Sequence, residues 1–200
     1  MIIMFKRKPI FFIAAAWVIF LGCASFALGA GETLIRFAYQ DRVADAASVI
    51  AVKKGFFAAE GLTLKPFRFS SGPAAGEALY SGAADIGSMG DAAAVIALAR
   101  NVGLVILASH GGGDGRHRIV LRPGLAIADP AGLEGKTLAV KKGTSTYGGL
   151  LAYLYKNGLS RSSLRLVDMR PVDMPEALSA GSVDAICASE PTPSLAEKQG

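Results

Sequence analysis

Cysteine is nearly absent from this 200-residue chain: Cys23 and Cys187 are the only two. Cys23 falls in a segment that reads as a removable leader, so Cys187 would stand alone and no internal disulfide could staple the fold. In its apolar run, Val183 to Ala188, Cys187 is expected to be a small buried hydrophobe. Histidine is equally sparse. His110 and His117 flank Asp114, but their spacing suits neither a helix face nor a zinc pattern, so we expect two surface histidines and no metal. Charged residues make up only 18% of the chain. There is no block of like charge and no aromatic–basic platform, which argues against nucleic acid as a partner. The longest apolar run, Ile10 to Leu21, is shorter than the roughly 20 residues of a membrane-spanning helix. No internal repeat is visible.

What is present begins with a leader. Lys6, Arg7 and Lys8 precede that apolar run, and small residues from Gly22 to Ala30 follow it, the order of a secretory signal peptide. Cleavage fits after Ala27 or after Gly29. Phe20-Leu21-Gly22-Cys23 offers a lipoprotein-type alternative, and retention as an anchor is another. Removing residues 1–30 leaves 18 Lys+Arg against 16 Asp+Glu, so the formal charge falls from +5 to +2. The basic character therefore belongs largely to the leader. The remaining residues suffice for one good domain or two small lobes.

Beyond the leader, strand and helix signals alternate. Strands are expected at 34–39, 62–69, 85–88, 102–109, 119–122, 136–141, 164–169 and 183–188. Helices are expected at 45–60, 73–82, 91–100, 146–157 and 173–180, with a single turn at 130–133. Such alternation implies a mostly parallel sheet with covering helices. The run Gly111-Gly112-Gly113-Asp114-Gly115 marks a boundary. We divide the chain into a signal (1–30), a first α/β lobe (31–112), a glycine-rich hinge (113–118) and a second α/β lobe (119–200).

Ligands of open α/β sheets bind at the carboxyl ends of the strands. Those loops carry Gln40 and Asp41, Ser71 and Gly72, Gly90 and Asp91, Thr144, Ser145 and Thr146, and Glu190. Gly143-Thr144-Ser145-Thr146 follows a strand and opens a helix, so free N–H groups and the positive helix end make it a ready anion site. Simple helix capping by Thr144 or Ser145 is the competing reading. Other signatures fail on context. His110-Gly111-Gly112-Gly113 copies an esterase oxyanion loop but has no G-x-S-x-G elbow after it. Gly135-Lys136-Thr137 resembles the end of a phosphate loop, yet it leads into a strand where a helix is required. No nucleophile–base set is legible, which favours binding over catalysis.

Several segments in order resemble the periplasmic substrate-binding proteins of ABC importers, in the nitrate/sulfonate/taurine and thiamine-precursor group. They are Ala51-Val52-Lys53-Lys54-Gly55-Phe56-Phe57-Ala58-Ala59-Glu60-Gly61-Leu62, Ala78 to Gly87, Gly90-Asp91-Ala92, Leu133 to Val140, Lys142 to Ser145, and Ala177 to Ala185 with Glu190-Pro191. The resemblance implies a type II periplasmic-binding-protein fold, two α/β lobes closing on a ligand. It also implies an exported monomer that hands a small solute to a membrane permease, with no cofactor and no catalysis. By position, the ligand contacts would be Gln40, Ser71, Gly72, Gly90 and Asp91 from the first lobe and Thr144, Ser145 and Thr146 from the second, with Glu190 near the cleft. Carboxylates Asp41, Asp91 and Glu190 around an anion site would suit a zwitterion such as an aminosulfonate; an uncharged pyrimidine-like ring is the alternative. Two departures stand out: family members run on well beyond this length, and Thr192 stands where an aromatic residue is common. An enzyme on the same scaffold and a periplasmic sensor lobe are the competing functions.

Overall fold

The computed structural model describes residues 2–6, 34–100, 103–109, 111 and 115–199. The first lobe contains β1 (Ile2–Lys6), β2 (Leu34–Gln40), a 3-10 turn (Val43–Asp45), α1 (Ala46–Lys53), α2 (Phe56–Ala59), β3 (Thr63–Phe69), α3 (Gly72–Tyr80), β4 (Ile86–Met89), α4 (Asp91–Arg100) and β5 (Leu104–Ser109). Its sheet has the order β3-β2-β4-β1-β5. β2 runs parallel to β3 and β4, whereas β1 is antiparallel to both β4 and β5.

The core of this lobe is built from small residues: Ala38, Ala75, Ala78, Ala93, Ala94 and Ala97 surround Leu79, Met89 and Met4. Alanine side chains let α3 and α4 lie close to the sheet at little entropic cost. Gly87 serves the same end, since a Cβ there would come within 2.9 Å of Leu79 Cδ1.

The second lobe follows with β6 (His117–Leu121), a 3-10 turn (Pro130–Leu133), β7 (Thr137–Val140), α5 (Ser145–Lys156), a turn (Arg161–Ser163), β8 (Arg165–Asp168), a turn (Pro171–Asp173), α6 (Met174–Ser179), β9 (Ala185–Ser189) and α7 (Thr192–Lys198). Its sheet has the order β6-β9-β7-β8; β7 is parallel to β8 and β9, and β6 is antiparallel to β9. Side chains alternate between two covered faces. Leu138, Val140 and Cys187 pack under α5 with Leu150 and Leu154, while Ala139, Ile186 and Ala188 pack against Met174, Leu178 and Ala196.

Matching aspartates lock both sheets. Asp85 accepts from the Arg36 backbone N–H (2.9 Å) and from its guanidinium (2.9 and 2.7 Å). Asp184 accepts from the Thr137 N–H (2.9 Å) and from Arg122 Nε (3.2 Å). Each closes the pattern A-L-x-x-G-x-x-D (Ala78 to Asp85, Ala177 to Asp184). The lobes therefore echo each other locally, a repeat that plain inspection of the sequence misses.

Three expectations are revised. The helix expected over 45–60 breaks at Lys54-Gly55, where Gly55 takes a φ of +73°, open to glycine and strained for other residues. Its apolar stripe is not buried, with Ile50 and Phe56 more than half exposed. A helix, α7, follows Pro191 where none was expected. Finally, Ile2–Lys6 lies within the segment assigned to the leader, yet pairs inside the first sheet. The rest of that leader, residues 7–30, lies outside the described residues. So do His110 and positions 112–114 of the glycine run; the hinge range 113–118 overlaps β6 at His117 and Arg118.

Candidate functional site

The carboxyl ends of β2, β3, β7 and β9 open onto a cavity of about 450 Å³ between the lobes, well within the usual size of small-molecule sites. The lobes touch beside it. Gly90 packs against Ser145, and the Val43 N–H donates to the Glu190 carbonyl at 3.4 Å.

From the first lobe, Gln40, Asp41 and Ser71 line the cavity. Gln40 is buried and spends one amide hydrogen on the Ser88 carbonyl at 3.3 Å. Ser71 caps α3, accepting from the Ala74 N–H at 3.4 Å. Asp41 sits at the rim, bound to Arg68 at 3.0 Å. Below the rim, buried Asp45 holds Arg42 at 3.1 Å and accepts from the Ser88 hydroxyl.

From the second lobe, Thr144 and Thr146 line the cavity with Ser189. Thr144 is the helix cap: its Oγ1 accepts from the Tyr147 N–H (3.2 Å) and donates to the Lys141 carbonyl (2.6 Å). Its hydroxyl is thus already committed. Ser145 turns away onto Gly90, and its Oγ is buried without a hydrogen-bond partner. That hydroxyl lies close enough to favour the Asp91 carboxylate, the main reason this group is held below the usual range, though the two do not meet hydrogen-bond geometry. Of the three residues in the loop, Thr146 keeps a hydroxyl directed into a polar cluster at the cavity. Its Oγ1 lies 3.1 Å from His117 Nδ1 and 3.1 Å from Ser189 Oγ.

The remaining expected residues lie off the cavity wall. Gly72 is wedged beneath α4, where a Cβ would meet that of Ala93 at 2.9 Å. Asp91 caps its own helix by accepting from the Ala92 N–H at 2.8 Å. Glu190 turns outward to Arg118 (3.0 Å) and the Ser194 N–H (3.3 Å). Ser194 and Arg118 together keep its carboxyl below the usual range.

His117, Ser189, Arg42, Arg68 and Lys141 escaped the sequence reading. His117 is not a surface histidine; it is half-buried, and burial above all pushes its pKa down. Arg42, Arg68 and Lys141 bring cations to the wall. Each answers an aspartate, Lys141 holding Asp168 at 3.0 Å. The wall thus presents paired cations. Its apolar side comes from Phe69, Pro171, Met174, Pro175 and Leu195. Cys187 also reaches the wall, but burial pushes its thiol up to about 12, so it is no nucleophile at neutral pH.

Two mixed α/β sheets facing each other across such a cleft form the type II periplasmic-binding-protein fold. Superposition agrees. The periplasmic aliphatic sulphonate binding protein SsuA from Escherichia coli matches at a TM-score of 0.65 and 27% identity, over 84% of this chain and 54% of that one. The alkanesulfonate-binding protein SsuA from Xanthomonas axonopodis pv. citri, solved with MOPS, matches at 0.64 and 27%, over 79% and 55%. The chain belongs to the NMT1/THI5-like family, whose profile matches residues 45–197. Among curated relatives, the taurine-binding periplasmic protein of Escherichia coli is 28% identical over 178 residues, 88% of this chain and 54% of its own length. A putative aliphatic sulfonates-binding protein of Escherichia coli is 32% identical over 132 residues, 66% and 41%. The chain thus spans about half the length of the relatives it matches.

Proposed function

We propose that this chain carries the solute-capturing cleft of an exported binding protein for an ABC importer, and that its ligand is a small sulfonate or a zwitterion such as taurine. The observation that carries this reading is the convergence at one cavity of the capped N-termini of α3 and α5 with the Ser71, Thr146 and Ser189 hydroxyls. Helix N-termini supply partial positive charge and free N–H donors to an anion without a full cation beside it. The sulfonate is assigned to the first turn of α5, at the backbone N–H groups of Ser145 and Thr146. Asp41, the rim carboxylate, suits an amino group. The alkyl chain belongs against Pro171, Met174 and Leu195.

Export rests on the periplasmic relatives and on the leader pattern taken in its retained form, since Ile2–Lys6 pairs within the first sheet. The partner of the loaded protein would be a membrane permease, with the binding protein acting as a monomer. The apolar side of the cavity also fits a flat uncharged ring, which makes an aminopyrimidine the second ligand class to test.

Thermal unfolding of the full chain should be followed with taurine, alkanesulfonates, nitrate, bicarbonate and aminopyrimidines. A ligand that binds only the native state stabilises it by about 2.7 kcal/mol at a hundredfold excess over its dissociation constant. A sulfonate or taurine is expected to raise the midpoint. A shift with the ring compounds alone would replace the anion reading, and no shift with any compound would refute the capture role.

A further inference from the structure

His117, Thr146 and Ser189 form a closed triangle at the cavity wall. His117 Nδ1 lies 2.9 Å from Ser189 Oγ and 3.1 Å from Thr146 Oγ1, and the two hydroxyls are 3.1 Å apart. Both hydroxyls line the cleft, whereas the imidazole does not. The Cδ2 edge of the ring faces Gly149 of α5, where an added Cβ would lie 3.2 Å away. On that side the ring borders a separate cavity of about 310 Å³, shared with Tyr153 and Leu150.

Counting hydrogens shows what the triangle does. Three edges can each hold one hydrogen. With Nδ1 bare, the hydroxyls supply two: one donates to Nδ1, the other to its neighbour's oxygen, and the cleft is offered lone pairs. With a hydrogen on Nδ1 there are three, but no hydroxyl can donate to that nitrogen. One O–H must then turn out of the triangle. The ring's state therefore decides whether the cleft meets a donor or an acceptor.

Resting on the proposed capture role, we propose that His117 is a positioning residue that makes the cleft selective for anions: a hydrogen on Nδ1 forces Thr146 or Ser189 to donate to the bound solute. An oxyanion draws the network into that state as the imidazolium, whose charge it favours over the neutral Nδ1–H tautomer, so binding takes up a proton from solvent. A solute that offers N–H groups selects the opposite state.

The surroundings set the resting state. Burial is the main influence holding His117 below its ordinary pKa; Arg116 and Arg42 add to it, while Asp91 opposes them. Tyr153 on α5 and Cys187 on β9 border the same ring, and Cys187 stays a thiol throughout. The empty protein thus holds the ring neutral at pH 7, and a bound anion raises its pKa. Affinity for an anion then rises as pH falls through the interval between the free and bound values, by at most about tenfold per pH unit for one proton.

The test is calorimetric titration of taurine and ethanesulfonate into the full chain from about pH 8 to about pH 5.5, spanning the ordinary histidine range, in buffers of different ionisation enthalpy. We expect tightening with falling pH and proton uptake on binding. In H117N the side-chain amide can place its NH2 where Nδ1 stood and cannot titrate, so binding persists while both the pH slope and the proton uptake vanish. H117F leaves the two hydroxyls a single shared edge, so one O–H stays free for the cleft at every pH and the slope and the proton uptake should vanish there too. A flat wild-type profile without proton uptake would overturn the proposal, as would an unchanged slope in H117N. If no sulfonate binds, the capture reading fails, and nitrogen-15 NMR of the ligand-free ring still tests the switch. The neutral ring should carry its hydrogen on Nε2, and T146V should move its titration. A hydrogen on Nδ1, or a titration unmoved by T146V, would refute it.

Discussion

Deleting residues 1–30 would take away more than a leader, because β1 lies between β4 and β5 in the middle of the first sheet. Ile2 to Phe5 pair with Met89 back to Ile86 on one side, and Ile2 to Lys6 pair with Ser109 back to Leu104 on the other. Met4 is fully buried in the alanine-rich core. Truncating a buried methionine to alanine alone costs about 2–5 kcal/mol. Losing the strand also leaves facing edges of β4 and β5 without ladder partners, and each buried unpaired backbone group costs roughly 1–3 kcal/mol. Against a net stability of about 5–15 kcal/mol for a whole domain, the first lobe should not survive. Hydrogen exchange of the full chain and of residues 31–200, resolved by segment, is the assay. Protection at 86–89 and 104–109 should collapse in the shorter chain, while β7 and β9 keep theirs. Equal protection of β4 and β5 in both chains would refute the reasoning and show that Ile2–Lys6 contributes nothing to the sheet.

Two further predictions concern the frame of the site. A Cβ at position 90 would collide with Ser145 Oγ, so G90A should destabilise the lobe contact by about 1–3 kcal/mol, as overpacking does. Adding S145A should restore the loss in a double-mutant cycle, and S145A alone should let the Asp91 carboxyl rise toward its usual range; additive effects would refute the contact. Asp184 is held below the usual carboxylate range first by the Thr137 N–H and then by Arg122. A depressed folded-state pKa gives stability that is full above the unfolded value, near 3.9, and lost as pH falls through the folded one. D184N should therefore lower the denaturation midpoint at neutral pH, by about 1–3 kcal/mol of hydrogen bonding to a charged group, and flatten the acid limb of the stability profile. An unchanged acid limb would show that the carboxylate is not what locks the sheet.

The order of strands and helices was legible because their signals are local: alternating apolar residues in 62–69, glycine stops such as Gly61, and the Thr144 cap ahead of α5. The helix over 45–60 misled for a physical reason. A run of apolar residues looks like a stripe in one dimension, but Gly55 breaks the backbone before Phe56 can reach the face of Ile50. The site was legible only in part. Gln40, Asp41, Ser71, Thr144 and Thr146 reach the cavity because they end strands or begin helices at one sheet edge. Asp91, Ser145 and Glu190 sit in equivalent loops, yet their side chains are taken by a helix end, a neighbouring lobe and an arginine.

The sequence by itself determined the alternating α/β class, the family and the edge of each sheet where a ligand could bind, since hydrophobic period, turn residues and capping hydroxyls act over a few positions. Tertiary structure decided which of those loop residues face one another. The pairing of His117 with Ser189 and Thr146 spans 72 and 29 positions, and β1 meets β4 across more than 80. No local pattern encodes contacts of that range; they follow from antiparallel register and from helices settling on a common sheet, which exist only once the chain has folded.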